Sequence, residues 1–145
     1  MKNISAHITF EEATHTSTGL KNLPDLNAIN NMTVLAEKVF EPLRAYFGVP
    51  IRINSMYRSQ AVNKAVGGSP TSQHTLGQAM DLDAGDLNIK IWDYITNHLV
   101  FDQAIYEFGD DAQPDWVHVS YRTGANRKQK LRSIKKNGKT IYLTV

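Results

Sequence analysis

The chain of 145 residues contains no cysteine, so neither disulfides nor thiolate ligands contribute to its structure. Any bound metal must therefore be held by imidazole nitrogens and carboxylate oxygens. No apolar run approaches the roughly 18 to 20 residues that a membrane-spanning helix needs. Residues 1–10 alternate polar and apolar types and lack the continuous apolar core of a secretory signal, so we expect synthesis without a signal peptide.

Acidic residues are absent from the last part of the chain. Residues 122–145 carry eight Lys or Arg and no Asp or Glu, whereas residues 1–121 carry eight basic and 14 acidic residues. With 41% hydrophobic and 21% charged residues, the composition is that of a soluble globular protein. We therefore expect a single domain over residues 1–145, with a basic C-terminal hairpin at about 122–145. The cations of this hairpin have two readings, a solvated face or a surface that binds a polyanion.

Hydrophobic periodicity predicts helices mainly in the first half and strands in the second. Leu35, Val39, Leu43 and Phe47 recur every four positions and predict a core-facing helix, which Pro42 should kink or divide. Further segments have clear patterns: helices over 59–66 and 89–99, strands over 51–56, 79–83, 103–108 and 116–121, and a hairpin turn at Asn137-Gly138. The pattern predicts an α+β fold in which helices pack mainly on one side of an antiparallel sheet.

Two separate segments, 72–81 and 115–118, contain the residues of a possible zinc site. His74, Asp81 and His118 offer two imidazoles and a carboxylate, which leaves a fourth tetrahedral position for a water whose pKa falls to about 7. Residues seven apart on a regular strand face opposite sides, so His74 and Asp81 meet only if the chain bends, and Gly77 permits that bend. The combination predicts a hydrolytic metal centre.

Asp115 and Arg58 are the candidate catalytic side chains. Asp115 lies three residues before His118, where its carboxylate can take a proton from the water and later return it to the leaving amine. In an ideal strand Asp115 and His118, three residues apart, would face opposite sides. Directly after Pro114, however, Asp115 belongs to the irregular start of that strand and can lean toward the metal. Arg58 follows a strand end and suits a carboxylate or an oxyanion, but from the residues alone a surface salt bridge is the preferred explanation. The other histidines, His7, His15 and His98, lack comparable partners.

Five segments of this chain resemble the zinc D-Ala-D-Ala carboxypeptidase family of peptidoglycan peptidases, especially its short bacterial and phage-borne members. These segments are residues 41–44, 55–59, 62–69, 72–81 and 116–120. The resemblance implies the α+β fold shared with the hedgehog signalling domain, with His74, Asp81 and His118 as zinc ligands and Asp115 as general base. It also implies that Arg58 contacts the substrate or the tetrahedral intermediate. Met56 departs from the family, where Gly often precedes the Tyr-Arg pair.

The activity that the resemblance implies is zinc-dependent hydrolysis of a peptide bond in the peptidoglycan stem peptide. Removal of a terminal D-Ala and an endolysin-type endopeptidase cut both remain open, as do a bacterial and a phage origin. We expect a monomer that acts on the cell wall, without a membrane span and without nucleic acid as its partner. The alternative is a non-catalytic, zinc-containing module that binds the cell wall or nucleic acid through the basic hairpin.

Overall fold

The computed structural model describes residues 3–145. Met1 and Lys2, the first two residues of the segment expected not to be a signal peptide, lie outside this range. The described chain has the following strands: β1 Asn3–Ser5, β2 Ile8–Thr9, β3 Arg52–Ser55, β4 Ala79–Asp83, β5 Gln103–Glu107, β6 Trp116–Ser120, β7 Gln129–Lys136 and β8 Lys139–Thr144. Its α-helices are α1 Phe10–Ala13, α2 Leu26–Leu35, α3 Glu41–Phe47, α4 Gln60–Ala65 and α5 Asn88–His98. The fold is thus α+β, as predicted.

The main sheet has six strands in the order β3-β4-β6-β5-β7-β8. Every neighbouring pair is antiparallel except β5 and β7, which run parallel from Gln103↔Gln129 to Glu107↔Ser133. The predicted purely antiparallel sheet is therefore wrong at this pair. Both edges of β6 are already paired, with β4 and β5, so the chain after β6 must cross over to the open edge of β5. Because β6 ends beside the start of β5 and the crossover stays at that end of the sheet, β7 begins next to Gln103 and runs in the same direction as β5.

The long apolar stripe of the first half is divided, as the sequence predicts. A π-helical turn over Ala36–Phe40 separates α2 from α3, and Pro42 follows it in the first turn of α3, so the regular α-helical hydrogen-bond pattern is interrupted at the proline. The first of these helices begins at Leu26, where Asp25 caps it by accepting a hydrogen bond from the backbone N–H of Ala28. Leu35, Val39 and Leu43 are fully buried, so the stripe faces the core.

The two faces of the sheet differ in chemistry. Met80 and Leu82 of β4, together with Val117 and Val119 of β6, are fully buried in a core that includes the helical stripe. Because successive residues of a strand point to opposite faces, Asp81 and His118 lie on the other face. That face is not covered by the helices and carries the polar residues described below. In the part of the chain that the structure describes, no helix is long and apolar enough to cross a bilayer.

Candidate metal centre and its cleft

His74, Asp81 and His118 converge on one point of the sheet. Asp81 and His118 are cross-strand partners on β4 and β6, and His74 lies on the short 3₁₀ turn Gln73–Leu76 that precedes β4. The Oδ1 atom of Asp81 is 3.3 Å from Nε2 of His74 and 3.0 Å from Nδ1 of His118. The three side chains each offer one ligand atom within 4.8 Å of the others. The sequence-predicted ligand residues are therefore adjacent in space.

Gly77 supplies the bend that brings His74 and Asp81 together. Its φ of 72° lies in the left-handed region, and a Cβ at this position would stand 2.4 Å from the carbonyl oxygen of Ala28 in α2. Both the backbone conformation and the packing thus require glycine. The turn ends there, and β4 begins two residues later with Asp81 already directed toward the open face of the sheet.

The imidazole of His74 is oriented by the strand end next to it. Its Nδ1 atom lies 2.7 Å from the carbonyl oxygen of Met56, so Nδ1–H donates to that oxygen and leaves Nε2 directed toward Asp81. The backbone N–H of Arg58 in turn donates to the carbonyl oxygen of His74 over 3.1 Å. Metal-bound histidines in proteins commonly have their second nitrogen fixed in this way. The side chain is therefore pre-oriented for a ligand role.

The spacing and charge of the three groups fit a zinc ion. Ligands about 2.0 to 2.2 Å from a tetrahedral metal are about 3.3 to 3.6 Å apart, close to the two separations measured from Asp81. Burial alone would raise the pKa of Asp81, but the charges and hydrogen bonds of His74 and His118 outweigh it and hold that pKa well below its usual range. An ionised carboxylate between two imidazoles is the donor set that Zn²⁺ accepts with one position left open.

The three residues line the floor of an open cleft of about 570 Å³. One wall consists of residues 66–69 and 71–72 with Arg58, and the opposite wall contains Phe108, Trp116 and residues of the C-terminal hairpin. The cleft extends to both sides of the triad.

Arg58 stands beside the triad and is largely buried. Its Nη2 atom is 3.4 Å from Oδ2 of Asp81, while Nε donates to Ser55 Oγ over 3.0 Å and Nη1 to Asn63 Oδ1 over 3.5 Å. Asn63 is itself buried and donates to the carbonyl oxygen of Ser69 in the loop that follows α4. The guanidinium is thus a positive group that lines the cleft and pairs with the buried Asp81.

A family model described as peptidase M15 matches residues 6–120, about four fifths of the chain. The chain belongs to the peptidase M15 family. M15 peptidases are zinc enzymes, so the match confirms the resemblance to the zinc D-Ala-D-Ala carboxypeptidases and agrees with the buried His-Asp-His group. No curated protein sequence matches the chain. The matched residues include the triad, Arg58 and Asp115 but end at Ser120, before the C-terminal hairpin.

Asp115 of this M15 chain is held by its backbone, and its side chain is exposed. Its N–H donates to the carbonyl oxygen of Glu107 over 2.9 Å, and its carbonyl oxygen accepts from Asn88 Nδ2 over 3.1 Å. The carboxylate is not among the groups that line the cleft. Since Asp115 directly precedes Trp116 at the start of β6, its backbone nevertheless stands at the border of that cleft.

Glu107 is a carboxylate of the cleft that the sequence analysis missed. It pairs with Trp116 across β5 and β6, is 9% exposed, and its Oε1 accepts a hydrogen bond of 2.6 Å from Ser133 Oγ. Burial raises its pKa, against the lowering effects of Ser133 and His118. Glu107 belongs to no short motif. To predict its position from the sequence, one would need to know both which residues of β5 face the cleft and that β5 pairs with β6.

The remaining polar residues of interest lie outside the metal centre. Asp83 accepts from Gly85 N–H and from Asn88 Nδ2, so it stabilises the entry to α5. His7 contacts Glu41 with Nδ1 and Oε1 2.6 Å apart, and His98 packs on the ring of Tyr94. His15 is exposed and does not line the cleft.

Proposed function

We propose that the protein is a zinc-dependent peptidase that hydrolyses a peptide bond in the stem peptide of peptidoglycan. The observation that carries the proposal is the convergence of His74, Asp81 and His118 at the floor of an open cleft in an M15 chain. When bound, the metal supplies Lewis acidity that polarises the scissile carbonyl and makes a water molecule acidic enough to lose a proton near neutral pH.

In this proposal Asp115 takes the proton and later transfers it to the leaving amine. Among residues 3–145 no side-chain hydrogen bond restrains the Asp115 carboxylate, so rotation about its side-chain bonds can bring it over the cleft border. Catalytic hydrogen bonds are often incomplete until the substrate is bound. The position three residues before His118 supports this role, because the backbone at Asp115 is fixed by Glu107 and Asn88.

Arg58 would bind a substrate carboxylate or the negative charge that develops on the carbonyl oxygen. Two of its nitrogens are already engaged by Ser55 and Asn63, so the guanidinium needs little reorganisation as charge develops. A carboxypeptidase would use it for the terminal carboxylate of D-Ala-D-Ala. An endolysin-type endopeptidase would use it for the oxyanion or for a side-chain carboxylate of the stem.

Digestion of purified sacculi and soluble muropeptides, followed by mass spectrometry, tests the proposal. A carboxypeptidase removes one D-alanine from the stem pentapeptide, whereas an endopeptidase releases larger fragments from the sacculus. Cleavage should stop with a chelator and return with added zinc, and the His74→Ala variant should be inactive. Binding to sacculi without any change in mass would instead favour the non-catalytic module.

A further inference from the structure

The C-terminal hairpin of β7 and β8 lies beyond the residues that match the peptidase family, yet it forms part of the cleft. Leu131 of β7 and Thr140 and Tyr142 of β8 line the cleft opposite the loop that contains residues 66–72. We infer that this hairpin is a substrate-binding wall, in which Tyr142 packs on the stem peptide and Lys135 attracts one of its carboxylates. The inference rests on the proposed peptidase function and adds to it residues that select the substrate.

The hairpin is an integral part of the sheet. Five residue pairs join β7 to β5 in parallel, and Ser133 of β7 donates its hydroxyl proton to Glu107 on the cleft floor. Asn137 and Gly138, with φ of 54° and 77°, form the predicted turn and return the chain as β8. Pairing with β5 and β8 fixes the backbone of β7 within the sheet, so this segment is a structured hairpin and not a flexible basic tail.

Tyr142 occupies the outer end of a row that crosses the cleft. Trp116, Glu107, Ser133 and Tyr142 are successive cross-strand partners on β6, β5, β7 and β8 and therefore share one face of the sheet. The Tyr142 side chain is 56% exposed although it lines the cleft, so its ring is partly open to a ligand. Burial and the negative charges of Glu107 and Asp81 raise the pKa of its phenol, in agreement with a ring that leans over the cleft.

Lys135 is exposed and does not itself line the cleft, but it places a positive charge directly beside this wall. Its Nζ donates to Thr140 Oγ1 over 3.0 Å and lies 5.6 Å from the centre of the Phe108 ring, and both of these partners line the cleft. Lys136, the next residue, points to the opposite face of β7 by strand alternation. Stem peptides of peptidoglycan carry carboxylates, so the charge of Lys135 is complementary to the proposed substrate, while that of Lys136 lies outside the cleft.

Paired variants test the wall with a matched control for each residue. Tyr142→Ala is compared with Tyr46→Ala, since Tyr46 is 64% exposed on α3 and does not line the cleft. Lys135→Gln is compared with Lys136→Gln. Binding of a fluorescent stem pentapeptide to zinc-loaded protein is measured by anisotropy in an Asp115→Asn background, and KM for soluble muropeptides is measured without that change. Circular dichroism confirms that each variant is folded.

We expect Tyr142→Ala to weaken binding and raise KM by roughly fivefold or more, the effect of losing one well-packed aromatic contact, with no change for Tyr46→Ala. Lys135→Gln should reduce the salt dependence of binding, and Lys136→Gln should not. If Tyr142→Ala and Lys135→Gln both bind and cleave like a fully active parent protein, the wall is refuted and the peptidase proposal stands. If the parent protein neither binds nor cleaves stem peptides, both proposals fail.

Discussion

Zinc should stabilise the folded protein strongly, because its three proposed ligands are brought together only by folding. His74 and Asp81 come from one bent segment and His118 from another strand, and all three are at most 9% exposed. A ligand present at about 1,000 times its Kd adds about 4 kcal/mol to the free energy of unfolding. For a chain of this size, 1 kcal/mol shifts Tm by about 3 °C, so zinc should raise Tm by about 12 °C over the chelator-treated protein. Differential scanning calorimetry at neutral pH measures the shift.

The matched variants for this experiment lie on the same strand. Asp81→Asn preserves the size of the side chain but removes the anionic ligand, so most of the zinc-dependent rise in Tm should disappear. Asp83→Asn changes the other carboxylate of β4, which contacts Gly85 and Asn88, and should keep the full zinc response even if its own Tm is lower. An unchanged zinc response in Asp81→Asn, or no response in the unmodified protein, would refute the proposed metal centre.

Three further predictions concern single carboxylates and their partners. Asp115→Ala should retain the zinc-dependent rise in Tm but lose peptidase activity on the order of 10²-fold or more, and a fully active variant would exclude Asp115 as the base. Glu107 has a raised pKa because it is buried, so its folded-state benefit is present at low pH and lost as pH rises from its unfolded pKa through its folded pKa. In zinc-free protein, Glu107→Gln should therefore unfold at a higher temperature than the unmodified protein at pH 7, and this difference should vanish at acid pH. Arg127→Ala leaves the fully buried Asp102 carboxylate without its two guanidinium hydrogen bonds and should cost about 2 kcal/mol by urea denaturation at pH 7. Because the pKa of Asp102 is lowered by Arg127 against the effect of burial, the cost should shrink as pH falls through the folded-state pKa of Asp102, and an equal cost at all pH values would contradict the ion-pair explanation.

The residues of the candidate metal centre were predictable because they stand in two short motifs, 72–81 and 115–118, whose residue types and spacing can be recognised along the sequence. Residue types alone limit the ligands to nitrogen and oxygen donors, and Gly77 marks the one bend that lets His74 and Asp81 meet. Glu107 and Tyr142, which also line the cleft, belong to no short motif that could be recognised in the sequence. Glu107 and Tyr142 come near each other through the pairing of β5 with β7 and of β7 with β8, and neither pair can be ordered within the sheet from strand patterns alone.

The parallel pairing of β5 and β7 could not be predicted for the same reason, because strand patterns do not give the order of strands in the sheet. Asn137-Gly138 predicts the hairpin correctly, because turn chemistry depends on adjacent residues, but it does not say which edge the hairpin joins. That choice is made by contacts distant in sequence. Arg127, just before β7, donates to Asp102, just before β5, and so holds the two strand starts side by side.

The structure also changes the meaning of the basic C-terminal segment. Arg127 pairs with Asp102, and Arg132 lies 4.9 Å from the centre of the Tyr106 ring and pairs with Asp111. On the hairpin itself, strand alternation and register place Lys130, Arg132, Lys136 and Lys139 on the face away from the cleft, and Lys135 on the cleft face. Because Arg127 and Arg132 are already paired with carboxylates, the eight positive charges in 24 residues are not all available to a polyanion. Lys135 differs from the other cations of β7 and β8 because it lies beside residues that line the cleft, where the proposed peptide substrate would lie.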